Sequence, residues 1–415
     1  MNDLAHGLNG AIGVPDQVEK EQIKERKFSR ETILGFSPDQ LDACLEKSGF
    51  DAVCVTSKHN IQYLLGGHLF EFFRNFDAIG VSRYLPVLIY PRGRPQDAIY
   101  LGNAQEDSDV ENGRIWCPTI ETRFWGSLDT MAAAVKHIKH LGLDHAQIGV
   151  EMGFIPADAM DFLRDNLPGA QFAEALWPLE RLRAVKAPAE LALIRKVSED
   201  VVDAMLATFA TSKPGMSKRQ VSDRLRHEET CRGLRYDWCF IASGTSLNRA
   251  PNDCVLKPGD VLSLDSGGSR DGYFGDLCRM GVVGEPDAEL KEMLAFIDDI
   301  QLRARDPVRD GRTGKAIYER VLPTIEAHPL RDRIDFTAHG MGVIGHEAPR
   351  LTDKGPVTYA ADDADQPLQS GMVLSIETTL RHPRGLIKLE DTVAVERDGC
   401  TGYGDHGRGW NVIAG

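Results

Sequence analysis

The chain has 415 residues, and 62 Asp and Glu against 48 Lys and Arg leave a net charge of −14; this exceeds the usual size of one domain and lacks the clustered basic surface that a polyanion needs, so nucleic acid is set aside as a partner. The start, MNDLAHGLNGAIGVPDQ, has no basic region followed by an apolar run, and no stretch approaches the roughly 20 apolar residues that span a bilayer, so no membrane partner and a cytoplasmic location are expected. Eight cysteines, Cys44, Cys54, Cys117, Cys231, Cys239, Cys254, Cys278 and Cys400, include no C-x-x-C pair and fit reduced, mostly buried thiols better than a disulfide frame or a zinc knuckle.

In chain order, Ser37-Pro38 opens a helix through Leu41, Cys44 and Leu45. Strands follow at 51–56, 85–90 and 98–101, a helix over 128–141, and a strand at 148–150. This alternation predicts an α/β domain. The stretch LERLRAVKAPAELALIRKV leads into a helix that begins at Pro188, with Leu191, Ile194, Val197, Val201, Met205 and Phe209 at helical spacing. The domain boundary is placed just before that helix, giving domains 1–180 and 181–415. Within the second domain, Pro214-Gly-Met-Ser217 is echoed by Asp310-Gly-Arg-Thr313, 96 positions later. Each Ser or Thr suits the cap of a following helix, which hints at a duplicated half-domain.

Two hairpins then concentrate acids. In VLSLDSGGSRDGYFGDLCRM, a two-residue turn at Asp271-Gly272 sets position 267 opposite 276, so Asp265 and Asp276 are diagonal neighbours on one face. Two acids there are either solvated or half of a cation site, since burial without a counter-charge drives one of them to protonate. In GMVLSIE and LIKLEDTVAV, a turn centred on Pro383-Arg384 sets Glu377 opposite Glu390. Between the hairpins, TAHGMGVIGHEAP carries His339 and His346 seven positions apart, with Gly340, Gly342 and Gly345 admitting close backbone approach. Two Asp, two Glu and a His form a hard, oxygen-rich donor set that suits Mn, Co, Fe or Zn in pairs.

The order Asp265, Asp276, His339 in HGMG, Glu377 in GMVLSIE and Glu390 in KLEDTVAV resembles the pita-bread metallopeptidases, the group of prolidase, aminopeptidase P, methionine aminopeptidase and creatinase. The resemblance covers about residues 180 to 400, and the first half is similar to the creatinase-type N-terminal domain of the same group. It implies an α/β N-terminal domain followed by an α+β pita-bread (creatinase/aminopeptidase) catalytic domain, working as a homodimer on a dipeptide or small-molecule substrate. It further implies that Asp265 and Asp276 chelate one of two divalent metal ions, that Asp276 and Glu390 join the pair with a bridging water, and that His339 and Glu377 complete the other. Such a pair lowers the pKa of the water and supplies a hydroxide that attacks the C–N-linked carbonyl, as in an Xaa-Pro dipeptidase. Glu377 is then the general base, and His346 binds substrate and stabilises the tetrahedral intermediate.

The chain also departs from the peptidase pattern. Pro251-Asn252 stands where prolidase-like chains carry Pro-His, Lys388 replaces an Arg two residues before the last glutamate, and Thr378-Thr379 replaces Pro-Gly. A planar fork has become a point charge in the Lys388 change. The acidic insert TYAADDADQ is expected as a surface loop. These changes keep open a non-peptidase activity, either creatinase-like C–N hydrolysis or a dimethylsulfoniopropionate-type lyase, and behind it an inactive binding module. Two further segments have two readings each. GGHLFEFFRNFDAIGVSRYLP is either a buried strand and loop, or a closing segment whose Phe73 and Arg74 reach substrate in a partner's site. GYGDHGRGWN is either a solvated tail or a pocket wall made by His406, Arg408 and Trp410.

Overall fold

The computed structural model describes residues 37–75, 78, 80, 82–353 and 360–414. The stretch from which no leader was expected lies outside these residues, as do Phe76, Asp77, Ile79 and Val81 of the Phe-rich segment and Thr358 and Tyr359 of the acidic insert.

The first domain runs α1 (Pro38–Ser48), β1 (Ala52–Val55), α2 (Lys58–Leu64), α3 (Glu71–Asn75), β2 (Val87–Pro91), β3 (Ile99–Leu101), α4 (Asp107–Glu111), β4 (Thr119–Glu121), α5 (Ser127–His140), β5 (Gln147–Val150), α6 (Ala157–Asn166), β6 (Gln171–Glu174) and α7 (Leu176–Ala184). Its six strands form one mixed sheet in the order β4-β3-β2-β1-β5-β6. The central strands are apolar throughout because both faces are covered. On one face Met131, Ile138 and Leu163 of α5 and α6 pack. On the other, Leu41, Ile61 and Leu179 join a cluster that continues into Tyr273, Met341, Val373 and Tyr403 of the second domain. The two domains therefore share apolar core. Because α7 runs through position 180 to Ala184, the chain crosses between them just after it, where Val185 bridges Met372 and Lys186 donates to the Gly371 carbonyl.

The second domain adds α8 (Pro188–Thr211), α9 (Lys218–Cys231), β7 (Arg235–Ser243), β8 (Val261–Arg270), β9 (Tyr273–Val283), α10 (Ala288–Arg305), α11 (Lys315–Glu326), β10 (Ile334–Gly340), β11 (Val373–His382), β12 (Gly385–Val395), β13 (Cys400–Tyr403) and β14 (Asn411–Ile413). Its sheet runs β10-β11-β12-β9-β8-β7, with β13 beside β12 and β14 beside β9. Two helices followed by three strands occur twice, α8–α9 with β7–β9 and α10–α11 with β10–β12. The echo seen in the sequence marks equivalent points of these halves: Ser217 bridges Val255 and Thr313 bridges Pro367. The expected caps differ, however. Ser217 accepts from the Gln220 N–H at the start of α9, whereas α11 begins after Gly314 without a side-chain cap, so Thr313 caps nothing.

Two further expectations change. The Phe-rich segment folds as the short helix α3 rather than a strand, and the ring of Phe73 is buried against Phe70 and Tyr84. The described part of the acidic insert is a mostly exposed turn, as expected of a surface loop, fixed at Asp363, which accepts from the Arg350 N–H at 2.9 Å and pairs with Arg181. The GYGDHGRGWN segment is neither tail nor pocket wall. His406 pairs with Asp203, Arg408 reaches Asp298, Asp391 and Asp405, and the Trp410 indole donates to the Leu290 carbonyl at 2.9 Å. Among the described residues the cysteines form no disulfide, Cys231 and Cys254 are exposed, and no helix is long and apolar enough to cross a membrane.

Candidate metal centre

The turn between β8 and β9 decides the first half of the site. Asp271 and Gly272 both have positive φ, +50° and +83°, as a two-residue turn matched to strand twist requires. The resulting register sets Gly267 opposite Asp276 and Asp265 opposite Cys278. Asp265 and Asp276 thus share a face. The second hairpin turns between His382 and Gly385, which sets Glu377 opposite Glu390. Glu390 also pairs with Cys278 across the seam of the two halves. One row therefore reads Asp265, Cys278, Glu390, Glu377, with Asp276 one step along β9. His339, opposite Ser375 at the end of β10, comes in from the other side.

Asp265, Asp276, His339 and Glu390 are buried, and Glu377 keeps 21% of its side chain exposed. Burial first, then Glu390 and Asp265, pushes the Asp276 carboxyl well above its ordinary range, and burial likewise raises Asp265. The cluster is short of positive charge. Burial, reinforced by the Asp265 charge, also raises the Cys278 thiol well above its ordinary range, and its Sγ lies 3.3 Å from the Ser263 hydroxyl. The His339 Nδ1 donates to the Gly340 carbonyl at 3.1 Å, which leaves Nε2 as the bare nitrogen of a neutral ring. Burial pushes the His339 pKa down to about 4. Its Nε2 is buried without a hydrogen-bond partner, and ligand atoms of Asp276, His339 and Glu390 all lie within 4.8 Å of one another. An orphaned imidazole nitrogen converging with two carboxylates fits a divalent ion of the Mn, Co, Fe or Zn type.

Asp265 and Glu377 are placed differently. Lys388 projects onto the same face, and its Nζ lies 2.5 Å from Asp265 Oδ2, 2.6 Å from Glu377 Oε2 and 2.8 Å from Glu390 Oε2. Burial alone would push this ammonium down, but the three carboxylates outweigh it and hold the pKa well above the usual range. Arg249 also grips Asp265 Oδ2. The five expected ligands are thus brought together, but only three have ligand atoms converging on one point.

His346 stacks on His339 with ring centroids 3.7 Å apart at 14°. Burial and the neighbouring His339 push its pKa down to about 4, and its Nδ1 is buried without a partner. The loop that carries it folds back so closely that a Cβ on Gly340 would stand 2.3 Å from the Ala348 carbonyl oxygen. Gly345, by contrast, has only ordinary contacts and is not required by crowding. Glu347 anchors the loop, accepting from Arg183 and Lys186 at 3.0 Å each; Arg183 in turn donates to Asn60 of the first domain. The first domain thereby helps hold His346 in place.

Of the residues expected to meet substrate from the first domain, Phe73 does not face any cleft, since it is buried within its own domain. Arg74 does line a cleft of about 270 Å³ between the domains, with Arg235, Asp237 and Phe274. A second cleft of about 270 Å³ opens at Glu377, bordered by Arg249, Thr337 and Arg381. The sequence reading missed the aromatic wall. A bulge at Asp237 sets Trp238 opposite Gly267 and Phe240 opposite Asp265, and Trp238 packs on Phe274 at 5.5 Å. No turn signal in the sequence marks the bulge at Asp237, so the register of the β8–β9 hairpin could not be carried over to the whole of β7. For Arg249 and for Ser375, which donates to Glu390 Oε1 at 2.8 Å, no local signal existed.

Residues 39–185 match the creatinase/prolidase N-terminal domain, and residues 192–397 match metallopeptidase family M24. The chain belongs to the pita-bread superfamily. It is a two-domain metallohydrolase of that superfamily, with mixed sheets in both domains. It is similar to an Xaa-Pro dipeptidase from Pyrococcus furiosus, with 27% identity over 87% of this chain and 95% of the relative. An uncharacterized peptidase, YqhT, from Bacillus subtilis is 28% identical over 53% of this chain and 62% of its own length. Among solved pita-bread structures, an X-Pro aminopeptidase from Thermotoga maritima superposes with a TM-score of 0.73 at 18% identity, covering 91% of this chain and 99% of that one.

Proposed function

We propose that the chain hydrolyses the C–N bond of a peptide or small amide in a metal-dependent reaction, with the substrate lying in the cleft at Glu377. The observation that carries this reading is the unpartnered, buried Nε2 of His339 converging with Asp276 and Glu390. Asp276, His339 and Glu390 would hold a divalent ion, which would supply Lewis acidity to polarise a carbonyl oxygen and make water a nucleophile at neutral pH. Glu377 accepts the proton. One of its oxygens is held by Lys388, while Oε1 faces His339 Nε2 at 4.0 Å. His346, a neutral ring fixed by stacking, hydrogen-bonds the substrate near the carbonyl as charge develops there. Trp238 and Phe274 exclude water from the side of Asp276. The similarity to an Xaa-Pro dipeptidase over nearly its whole length supports dipeptides as the substrate class. Pairing of two chains belongs to the same proposal.

A second reading, a small non-peptide metabolite as substrate of a creatinase-like hydrolase or a lyase, is favoured by the segment before β8. Asn252, which replaces the expected His, uses its side chain to accept from the Cys254 N–H at 3.0 Å, and the segment touches the site through Arg249 instead. The test is a panel of Xaa-Pro dipeptides, other dipeptides, creatine-like guanidino compounds and sulfonium compounds, assayed with and without Mn²⁺ for amine release and, with the sulfonium compounds, for release of a sulfide. Mn²⁺-dependent cleavage of dipeptides is expected. Turnover of metabolites alone would support the second reading, and no metal-dependent C–N cleavage anywhere in the panel would overturn the first.

A further inference from the structure

We infer that the chain holds one divalent ion per site, at Asp276, His339 and Glu390, and that the ammonium of Lys388 takes the place of a second ion. This rests on the metal-dependent reading above and departs from the paired ions that the family resemblance implies. The three donors of an ammonium are all used, on Asp265, Glu377 and Glu390, at 2.5 to 2.8 Å. A second ion joining Asp265 to Glu390 would have to share these carboxylates with Lys388, which already engages Asp265 Oδ2 and Glu390 Oε2. Asp265 Oδ2 accepts from Arg249 as well, so it is doubly occupied by cations.

Lys388 has nowhere to withdraw. Its side chain is only 3% exposed, and its backbone is held in the ladder opposite Thr379, with its N–H on Met280 Sδ. Leaving the carboxylates would strand a buried ammonium without its counter-charges.

Charge balance points the same way. The face carries the carboxylates of Asp265, Asp276, Glu377 and Glu390, and Lys388 and Arg249 are the cations that touch them. These two cations offset two of the four negative charges, and one divalent ion offsets the rest. A second divalent ion would add excess positive charge a few ångströms from a fixed ammonium in a buried site, where like charges repel strongly. The substitution noted in the sequence supplies the means: a compact ammonium can sit among three oxygens at once, whereas a planar guanidinium presents its donors in a fixed fork.

The test is a metal count. Metal-stripped protein, equilibrated with excess Mn²⁺ and freed of unbound ion, is analysed by plasma mass spectrometry and electron paramagnetic resonance. One Mn per chain with the spectrum of an isolated ion is expected, and Lys388→Met is expected to take up a second Mn with an exchange-coupled spectrum. Two Mn per wild-type chain would overturn this inference alone and leave the metal-dependent reading standing. No bound Mn would overturn both. Should Lys388→Met fail to fold, Lys388→Arg is counted instead, and the wild-type count still decides.

Discussion

Lys388 Nζ and Glu377 Oε2 lie 2.6 Å apart across the β11–β12 hairpin, and this pair holds Glu377 so that its other oxygen, Oε1, faces His339. A carboxylate tethered at one oxygen keeps the second in position to take a proton without reorganising. Glu377→Gln preserves size and removes basicity. Turnover is expected to fall by about 10²–10⁴-fold, with the circular dichroism spectrum unchanged. Initial rates of the two proteins on the same hydrolysed compound, at matched metal content, check this; equal rates would remove Glu377 from proton transfer.

On the opposite face of β8, Glu229 of α9 is buried beneath Ser266, whose hydroxyl lies 2.8 Å from Glu229 Oε1 and 2.7 Å from the Trp238 carbonyl. Burial pushes its pKa from 4.5 to about 8. A neutral Glu229 can donate to Ser266, which passes its single proton on to Trp238. Above its ordinary pKa the unfolded chain has released this proton while the folded chain still holds it. Stability is therefore full below about 4.5 and declines as pH rises toward 8, with a slope of at most about 1.4 kcal/mol per pH unit. Glu229→Gln carries no such term. Relative to wild type it is expected to be more favourable at pH 8 than at pH 6, by about 1–3 kcal/mol. Urea midpoints of both proteins at the two pH values measure this, and an identical difference at both would refute it.

The back of β12 is clamped as firmly as its front. Asp391 points away from the site into Arg279, Arg305 and Arg408, and Gln301 donates both to it and to the Ile376 carbonyl. Burial would raise this carboxyl, but the three guanidinium groups overcome that and hold it far below the usual range. Asp391→Ala strands buried positive charge and is expected to cost about 3–5 kcal/mol. It should also weaken metal binding, because Arg279 donates to the Glu390 carbonyl beside it. Urea unfolding and Mn²⁺ titration of the variant check both effects.

Gly340 and Gly345 separate crowding from mere proximity in the histidine loop. A methyl at 340 meets backbone at 2.3 Å, whereas one at 345 finds nothing nearer than Trp238 at 3.5 Å. Gly340→Ala is therefore expected to shift the loop and abolish the gain in melting temperature on adding Mn²⁺, whereas Gly345→Ala retains it. Thermal melts with and without Mn²⁺ distinguish the two, and equal retention would mean that the loop has a looser alternative path.

How far the sequence led depended on the range of the forces involved. Asp271-Gly272 and Pro383-Arg384 are local turn signals, and turn geometry propagates register strictly in steps of two, so the shared faces of Asp265 with Asp276 and of Glu377 with Glu390 were legible. Pro188 likewise marked the start of α8 through its own constraints. The destination of a long side chain is another matter. Lys388 was visible as a departure, but that its Nζ would sit among three carboxylates is decided by β9, β11 and β12 together. Trp238 and Phe240 were obscured by the bulge at Asp237, which reverses the parity of β7. Phe73 misled because aromatic density suits a small buried cluster as well as a closing lid, and here Phe70 and Tyr84 supply the cluster.

The most direct test of the account is an anomalous difference map from crystals of the full chain soaked in Mn²⁺, recorded at a wavelength where manganese scatters anomalously. The account predicts a single peak enclosed by Asp276, His339 Nε2 and Glu390, with Lys388 Nζ still against Asp265 and Glu377. A map with no peak among these three residues would contradict it.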